Sequence, residues 1–253
     1  MEENLTRINI IIDKRCNQKC RYCEHAHAKY KNRSDEEIYS SFDSVMNKLE
    51  ELFKGERIRP QLQGGELTVL SDKLIDKICD RLKGYDEVLV FSNGYNRNSR
   101  LYKEKGYKVV THIIDWYEFD ISKFPQMDNE TLAFCITHDE IHRVKKLLET
   151  ATGKEKILLL PCWSDNLKWN CTMEDKSYLA GLQRKYDGEK SIIKDEAELQ
   201  KICSSMRIPL VDCTDQSITP CGFIPDPEPI FSVQMEYFKN KECTANCGRG
   251  CQE

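Results

Sequence analysis

The sequence predicts an α/β fold: a mostly parallel sheet curled into an open or partial barrel, followed by a small cysteine-rich C-terminal extension. Three observations predict it. Six short apolar runs recur up to Pro161, mostly separated by helical or helix-length segments, and that alternation implies parallel strands joined by crossovers. Crossovers of one hand wind six such units into an open or partial barrel. After Pro161 the pattern breaks and cysteines gather towards the end of the chain. The division expected is a barrel over residues 1–206 and an extension over residues 207–253.

The elements follow in order. Residues 7–13 read as the first strand, and a cysteine loop follows. Residues 34–55 read as a helix, because Ser34 and Glu37 have capping-box spacing and Ile38, Phe42, Val45, Leu49, Leu52 and Phe53 mark one face. Residues 59–63 form a short strand that runs into Gly64-Gly65-Glu66. Residues 71–82 are helical, with Leu74, Ile75, Ile78, Cys79 and Leu82 inward and Gly84 as the stop. Strands are expected over 87–92, 108–115, 131–137 and 156–160, with a helix over 139–150. Beyond Pro161, residues 195–206 read as a helix. Residues 221–233 read as a hairpin whose turn is stiffened by Pro-Asp-Pro-Glu-Pro.

Composition narrows the function classes. The chain has 253 residues, 40% apolar and 32% charged, an ordinary globular balance. Its net charge of −4 argues against a broad nucleic-acid footprint, which needs a basic surface. No stretch approaches the length of a membrane span. The start, Met1-Glu2-Glu3-Asn4, lacks a basic region and an apolar signal core, so a cytoplasmic location is expected. Thirteen cysteines exceed what packing requires, and in such a location they favour metal or cluster ligation over disulfides.

The densest chemistry lies just behind the first strand, where Cys16, Cys20 and Cys23 stand in Cys-x3-Cys-x2-Cys spacing with Tyr22 before the last thiol. Three thiolates can hold three irons of a [4Fe-4S] cluster and leave the fourth iron open to a small molecule. A zinc loop is the competing reading; it needs a fourth ligand, which His25 or His27 would supply. Gly64, Gly65 and Glu66 end the second strand, Ser92-Asn93-Gly94 the third and Asp115 the fourth. In an open α/β sheet, these strand exits are where ligands bind. Taken singly, the glycines and Asn93-Gly94 are also ordinary turn residues, and Asp115 an ordinary loop or capping residue.

Together, the Cys-x3-Cys-x-aromatic-Cys triplet and the Gly-Gly-Glu about forty residues later resemble the motifs of the radical S-adenosylmethionine (radical SAM) enzymes. The family often has proline after Gly-Gly-Glu, where this chain has Leu67. The resemblance implies a partial (β/α)6 barrel, in agreement with the strand pattern. It implies that Cys16, Cys20 and Cys23 ligate the cluster and that its open iron chelates S-adenosylmethionine. One electron then cleaves that molecule to a 5′-deoxyadenosyl radical, which abstracts a substrate hydrogen. Tyr22 would lie near the adenine, and Gly64, Gly65 and Glu66 would serve the methionine amino group. Ser92 and Asn93 correspond to the family's Thr-Asn-Gly exit, and Asp115 to a contact with ribose or carboxylate.

Cys243, Cys247 and Cys251 are the second group, with Cys221 before the expected hairpin and Cys213 as the alternative fourth ligand. Four thiolates suit a second [4Fe-4S] cluster or zinc. The arrangement resembles a shortened SPASM or twitch auxiliary-cluster extension, although Ser232 and Val233 stand where those extensions place a cysteine. Cys79 and Cys135 read as small core residues, while Cys162 follows the sixth strand near the barrel mouth. Trp116, Tyr117, Trp163 and Trp169 are candidates to wall the cavity. Thr137 and His138 read first as a helix cap.

The resemblance makes a ribosomally made peptide the leading substrate, modified by cross-linking, epimerisation or oxidation, with flavodoxin or ferredoxin as reductant. The alternatives are action on a small metabolite, activation of a glycyl-radical partner, or a non-catalytic iron–sulfur or zinc redox sensor.

Overall fold

The structure is a computed structural model and describes residues 5–23, 30–94, 99–114, 116, 121, 130–153, 156–162, 167–186, 191–193, 209–220 and 227–234. The six expected strands are present as β1 (Leu5–Ile11), β2 (Arg57–Gln63), β3 (Leu89–Ser92), β4 (Lys108–His112), β5 (Glu130–Ile136) and β6 (Lys156–Pro161). They pair in parallel in sequence order. Two further parallel strands flank them: β7 (Ser191–Ile193) beside β6, and β8 (Leu210–Asp212) beside β1. Antiparallel β9 (Ser217–Thr219) and β10 (Glu228–Pro229) extend the β8 edge, giving the order β10-β9-β8-β1-β2-β3-β4-β5-β6-β7. The sheet is an open α/β array of the partial-barrel type expected from the strand pattern.

The helices are α1 (Asp35–Leu52), α2 (Asp72–Leu82), α3 (Ser99–Glu104), α4 (Val144–Thr150) and α5 (Met173–Lys185). Ser34 caps α1 with the reciprocal Glu37 contact, and acidic Asp35, Glu36 and Glu37 suit the positive end of its dipole. Period-2 and period-3.6 patterns then decide the layers. Ile8, Ile10, Ile12 and Leu62 face Ile38, Phe42, Val45 and Leu49 of α1 and Ile75 and Ile78 of α2 in one outer core. Leu132, Phe134, Ile136, Ile157 and Leu159 face Val144, Leu147 and Leu148 of α4 and Leu179 and Leu182 of α5 in a second. The opposite, concave face carries a smaller apolar wall of Val110, Ala133 and Leu158, with Phe91 and Leu160 partly buried against it.

Several elements differ from expectation. β1 and β4 end at Ile11 and His112, sooner than their apolar runs suggest. The helix expected over 139–150 is a 3-10 stretch, His138–Arg143, that passes into α4. Residues 230–232 form a 3-10 turn where the second hairpin arm was expected; the antiparallel pairing instead joins β9 to β8 and β10. Cys135 lies on the concave face, half-buried, rather than among the outer core residues. The helix expected over 195–206 and the first hairpin arm at 222–224 lie outside the described residues. Beyond the boundary drawn at 206/207, Val211, Cys213, Ile218, Ile230 and Val233 share the core of β1 and α1. No helix among the described residues is long and apolar enough to cross a membrane.

Candidate active site

The loop after β1 is held by the backbone of the segment after β2. Gly65 N–H donates to Asp13 O at 2.8 Å, and Glu66 N–H donates to Arg15 O at 2.7 Å. The approach is so close that a Cβ on Gly64 would fall 2.4 Å from Asp13 O, and one on Gly65 2.0 Å from Arg15 O. Gly64 also adopts φ +134°, a backbone that side-chain-bearing residues rarely take. Asp13, itself buried, turns back on the loop: Oδ1 accepts from Lys14 N–H at 2.9 Å and Oδ2 pairs with Arg15 Nε. Lys14 in turn pairs with Asp212 at the end of β8.

Glu66 ties in the third strand exit. Its carboxylate is 2% exposed; Oε1 accepts from Thr68 N–H at 3.0 Å and Ser92 Oγ at 2.8 Å, and Oε2 from Asn93 N–H at 2.6 Å. Asn93 Nδ2 donates to Asn17 Oδ1 at 2.7 Å, inside the cysteine loop. The exits of β1, β2 and β3 are thus one hydrogen-bonded unit, with every buried Glu66 oxygen satisfied.

The three thiols sit on that unit at the open rim. Cys16 is exposed, and Cys20 and Cys23 are half-buried. Cys23 N–H closes a turn onto Cys20 O at 3.1 Å, and Gln18 N–H reaches Cys16 Sγ at 3.4 Å. Although exposed at the rim, Cys16 is partly desolvated by its neighbours, and that desolvation, with the Glu66 and Cys23 charges behind it, pushes its thiol up. Among the described residues, no three Cys, His, Asp or Glu side chains converge enough to hold one metal ion. A single zinc needs all its sulfurs at about 2.3 Å from one point, whereas a four-iron cluster takes its thiolates at separate irons.

Opposite the thiols stands the exit of β5. Arg21, between Cys20 and Tyr22, reaches Asp139 at 3.0 Å, Glu140 at 2.8 Å and Thr137 Oγ1 at 3.1 Å, and lies 4.3 Å over the Trp169 ring. His138 Nδ1 meets Asp175 Oδ2 at 2.6 Å, and that contact raises the imidazole pKa. Thr137 stands at the helix N-cap position but makes no capping hydrogen bond; its hydroxyl belongs to the Arg21 cluster. Beneath, a cavity of about 160 Å³ is lined by Gln18, Cys20, Tyr22, Trp116, Cys135 and Glu140, among others. Burial, then the neighbouring Cys135, Cys20 and Cys162, keep the Tyr22 phenol un-ionised.

The structure thus brings Cys16, Cys20, Cys23, Tyr22, Gly64, Gly65, Glu66, Ser92 and Asn93 to one rim. Asp115, Cys221, Cys243, Cys247 and Cys251 lie outside the described residues, as do Tyr117, Trp163, His25 and His27. Cys213 is fully buried in the core, its N–H donating to Ile11 O at 2.8 Å and its thiol pushed up by that burial. Sequence reasoning missed Asn17, Arg21 and His112. No motif marks them, and the partners of Asn17 and Arg21 are remote in sequence. His112, on the concave face, keeps a buried Nε2 without a hydrogen-bond partner, and burial lowers its pKa to about 4.

The solved structure of native anSMEcpe with bound AdoMet superposes over 97% of this chain and 81% of that one, with a TM-score of 0.63 at 15% identity. The chain has the anSMEcpe fold. The same protein with AdoMet and the Cp18Cys peptide matches 94% of this chain and 80% of that one, with a TM-score of 0.64 at 15% identity. No protein-family model matches the chain. An alignment over 129 positions that covers 46% of the chain is 30% identical to plasma membrane fusion protein PRM1 of Coccidioides immitis (strain RS) and spans 17% of that protein.

Proposed function

We propose that this chain is a radical SAM enzyme that modifies a peptide. The observation that carries the reading is the grip of Gly64-Gly65-Glu66 on the backbone at Asp13 and Arg15, which fixes the cysteine loop at the sheet's open rim. Cys16, Cys20 and Cys23 would hold a [4Fe-4S] cluster there. When bound, the cluster supplies the electron that breaks a carbon–sulfur bond of S-adenosylmethionine to give a 5′-deoxyadenosyl radical.

The chain's own residues bind and orient. Gly64 and Gly65, without side chains, would let backbone hold the amino group of the methionine moiety when S-adenosylmethionine is bound. The Glu66 carboxylate is taken up by Thr68 N–H, Ser92 Oγ and Asn93 N–H, and so would hold the third strand exit in place beside the cofactor; Asp115 is assigned to the cofactor by the resemblance alone. Tyr22, un-ionised in the cavity lining, would offer an aromatic face to the adenine. The apolar wall of Val110, Ala133 and Leu158 keeps water from the reacting centre. Arg21 latches the loop to the β5 exit without entering the chemistry.

The peptide substrate is supported by the fold shared with anSMEcpe, whose structure holds the Cp18Cys peptide. Cys221, Cys243, Cys247 and Cys251 are assigned to a second cluster, a flavodoxin or ferredoxin to electron supply, and the cytoplasm to location. The test is iron and sulfide per chain after anaerobic reconstitution. About eight of each supports two four-iron clusters, about four leaves the N-terminal one alone, and none removes the reading.

A further inference from the structure

Cys16 sits inside a closed ring of hydrogen bonds. On its N-terminal side, Arg15 O accepts from Glu66 N–H at 2.7 Å. On its C-terminal side, Asn17 Oδ1 accepts from Asn93 Nδ2 at 2.7 Å. Glu66 Oε2 accepts from Asn93 N–H at 2.6 Å and joins the two pins. The main chain at Cys16 is therefore fixed on both sides, although the residue itself is exposed at the rim. Gln18 N–H, one residue beyond the second pin, donates to Cys16 Sγ at 3.4 Å. Asn17 stands between that donor and that sulfur in sequence, so its bond to Asn93 fixes the turn that brings them together.

We propose that Asn17 is a positioning residue that sets the reduction potential of the cluster held by the cysteine loop. The inference rests on the radical SAM reading and adds to it a determinant outside the cysteine triplet and Gly64-Gly65-Glu66. An N–H aimed at a ligating sulfur sets the positive end of a dipole beside it. That dipole stabilises the reduced, more negative cluster more than the oxidised one, and so raises the potential. Asn17 needs no contact with iron or substrate for this effect: its side-chain oxygen holds the turn, and the Gln18 amide acts on the sulfur. Removing either side chain of the Asn17–Asn93 pair deletes the same bond. The turn then loosens, the Gln18 N–H leaves Cys16 Sγ, and the cluster becomes harder to reduce.

The test is redox potentiometry of the anaerobically reconstituted full chain without S-adenosylmethionine, followed by the paramagnetic resonance signal of the reduced cluster. Asn17→Ala and Asn93→Ala should each lower the potential by the same amount, and the double variant should lower it no further. With S-adenosylmethionine added, Asn17→Ala should form 5′-deoxyadenosine about tenfold more slowly under dithionite. It should recover under titanium(III) citrate, a stronger reductant, which would not rescue a residue that only supported the fold. An unchanged potential in an iron-loaded Asn17→Ala, or additive shifts in the double variant, would overturn the proposal. Where a variant does not load iron, the wild type decides. Labelled with nitrogen-15 at glutamine alone, its reduced cluster should show a nitrogen coupling that Gln18→Met removes, and absence of that coupling overturns the proposal as well. A wild type that takes up no iron overturns the radical SAM reading itself, so iron content tells the two failures apart.

Discussion

Gly65 and Arg15 meet backbone against backbone: the Arg15 carbonyl oxygen lies 2.0 Å from where a Gly65 Cβ would stand, and it accepts the Glu66 N–H at 2.7 Å. A glycine pair usually explained by ligand approach thus has a second role inside the protein, setting the height of the cysteine loop above the sheet.

Replacing Gly65 by alanine therefore forces the loop away. Overpacking of this kind costs about 1–3 kcal/mol, read as a lower urea midpoint, and the iron bound after reconstitution should fall with it. Gly84→Ala is the control, since nothing lies within 4 Å of its Cβ position. It should change stability by less than about 0.5 kcal/mol and leave iron content alone.

Glu66→Gln keeps the shape and removes an acceptor. An amide presents one oxygen and one NH2, so it cannot accept from Thr68 and Asn93 N–H on opposite oxygens at once. One buried donor is left unpaired at a cost of about 1–3 kcal/mol. Thermal unfolding should show the loss, and Glu66→Asp, too short to span both exits, should not restore it.

The order of strands β1 to β6 was legible because each is an apolar run bounded by a turn or helix start. Ser34–Glu37 announced one helix and the stripe of Leu74, Ile75, Ile78, Cys79 and Leu82 another, and Gly64-Gly65-Glu66 announced a site. What stayed hidden rests on distance in sequence. β7 and β8 are three residues each, too short for periodicity, and are strands only because β6 and β1 offer them hydrogen bonds. Arg21 became a latch only when Asp139, Glu140 and Trp169 arrived beside it. Cys135 reads as a core residue from its apolar neighbours Ala133, Phe134 and Ile136, yet alternation turns it to the concave face.

His112 should make the protein acid-sensitive. Its pKa falls from 6.5 to about 4 through burial, so the folded state resists a proton that the unfolded chain accepts. Stability is then intact above about pH 6.5 and declines as pH drops towards 4, by up to about 3 kcal/mol. His112→Leu should flatten that part of the pH–stability curve. It should also raise the melting temperature at pH 7, since it removes a sealed, unpartnered nitrogen.

His138 carries the opposite sign. Its hydrogen bond to Asp175, then the Asp175 charge, raise its pKa, so its contribution is full below the unfolded value of 6.5 and fades as pH rises through the folded value. The stability difference between wild type and His138→Ala should shrink between mildly acidic and alkaline pH. NMR titration of the imidazole should place its midpoint above that of a free histidine.

The most direct measurement is 5′-deoxyadenosine formed from S-adenosylmethionine by the anaerobically reconstituted, dithionite-reduced protein, beside the variant with Cys16, Cys20 and Cys23 all changed to alanine. Formation by the wild type and none by the variant is the predicted result. Equal formation by both, or none by a wild type that has bound its iron, would contradict the assignment of the cysteine loop.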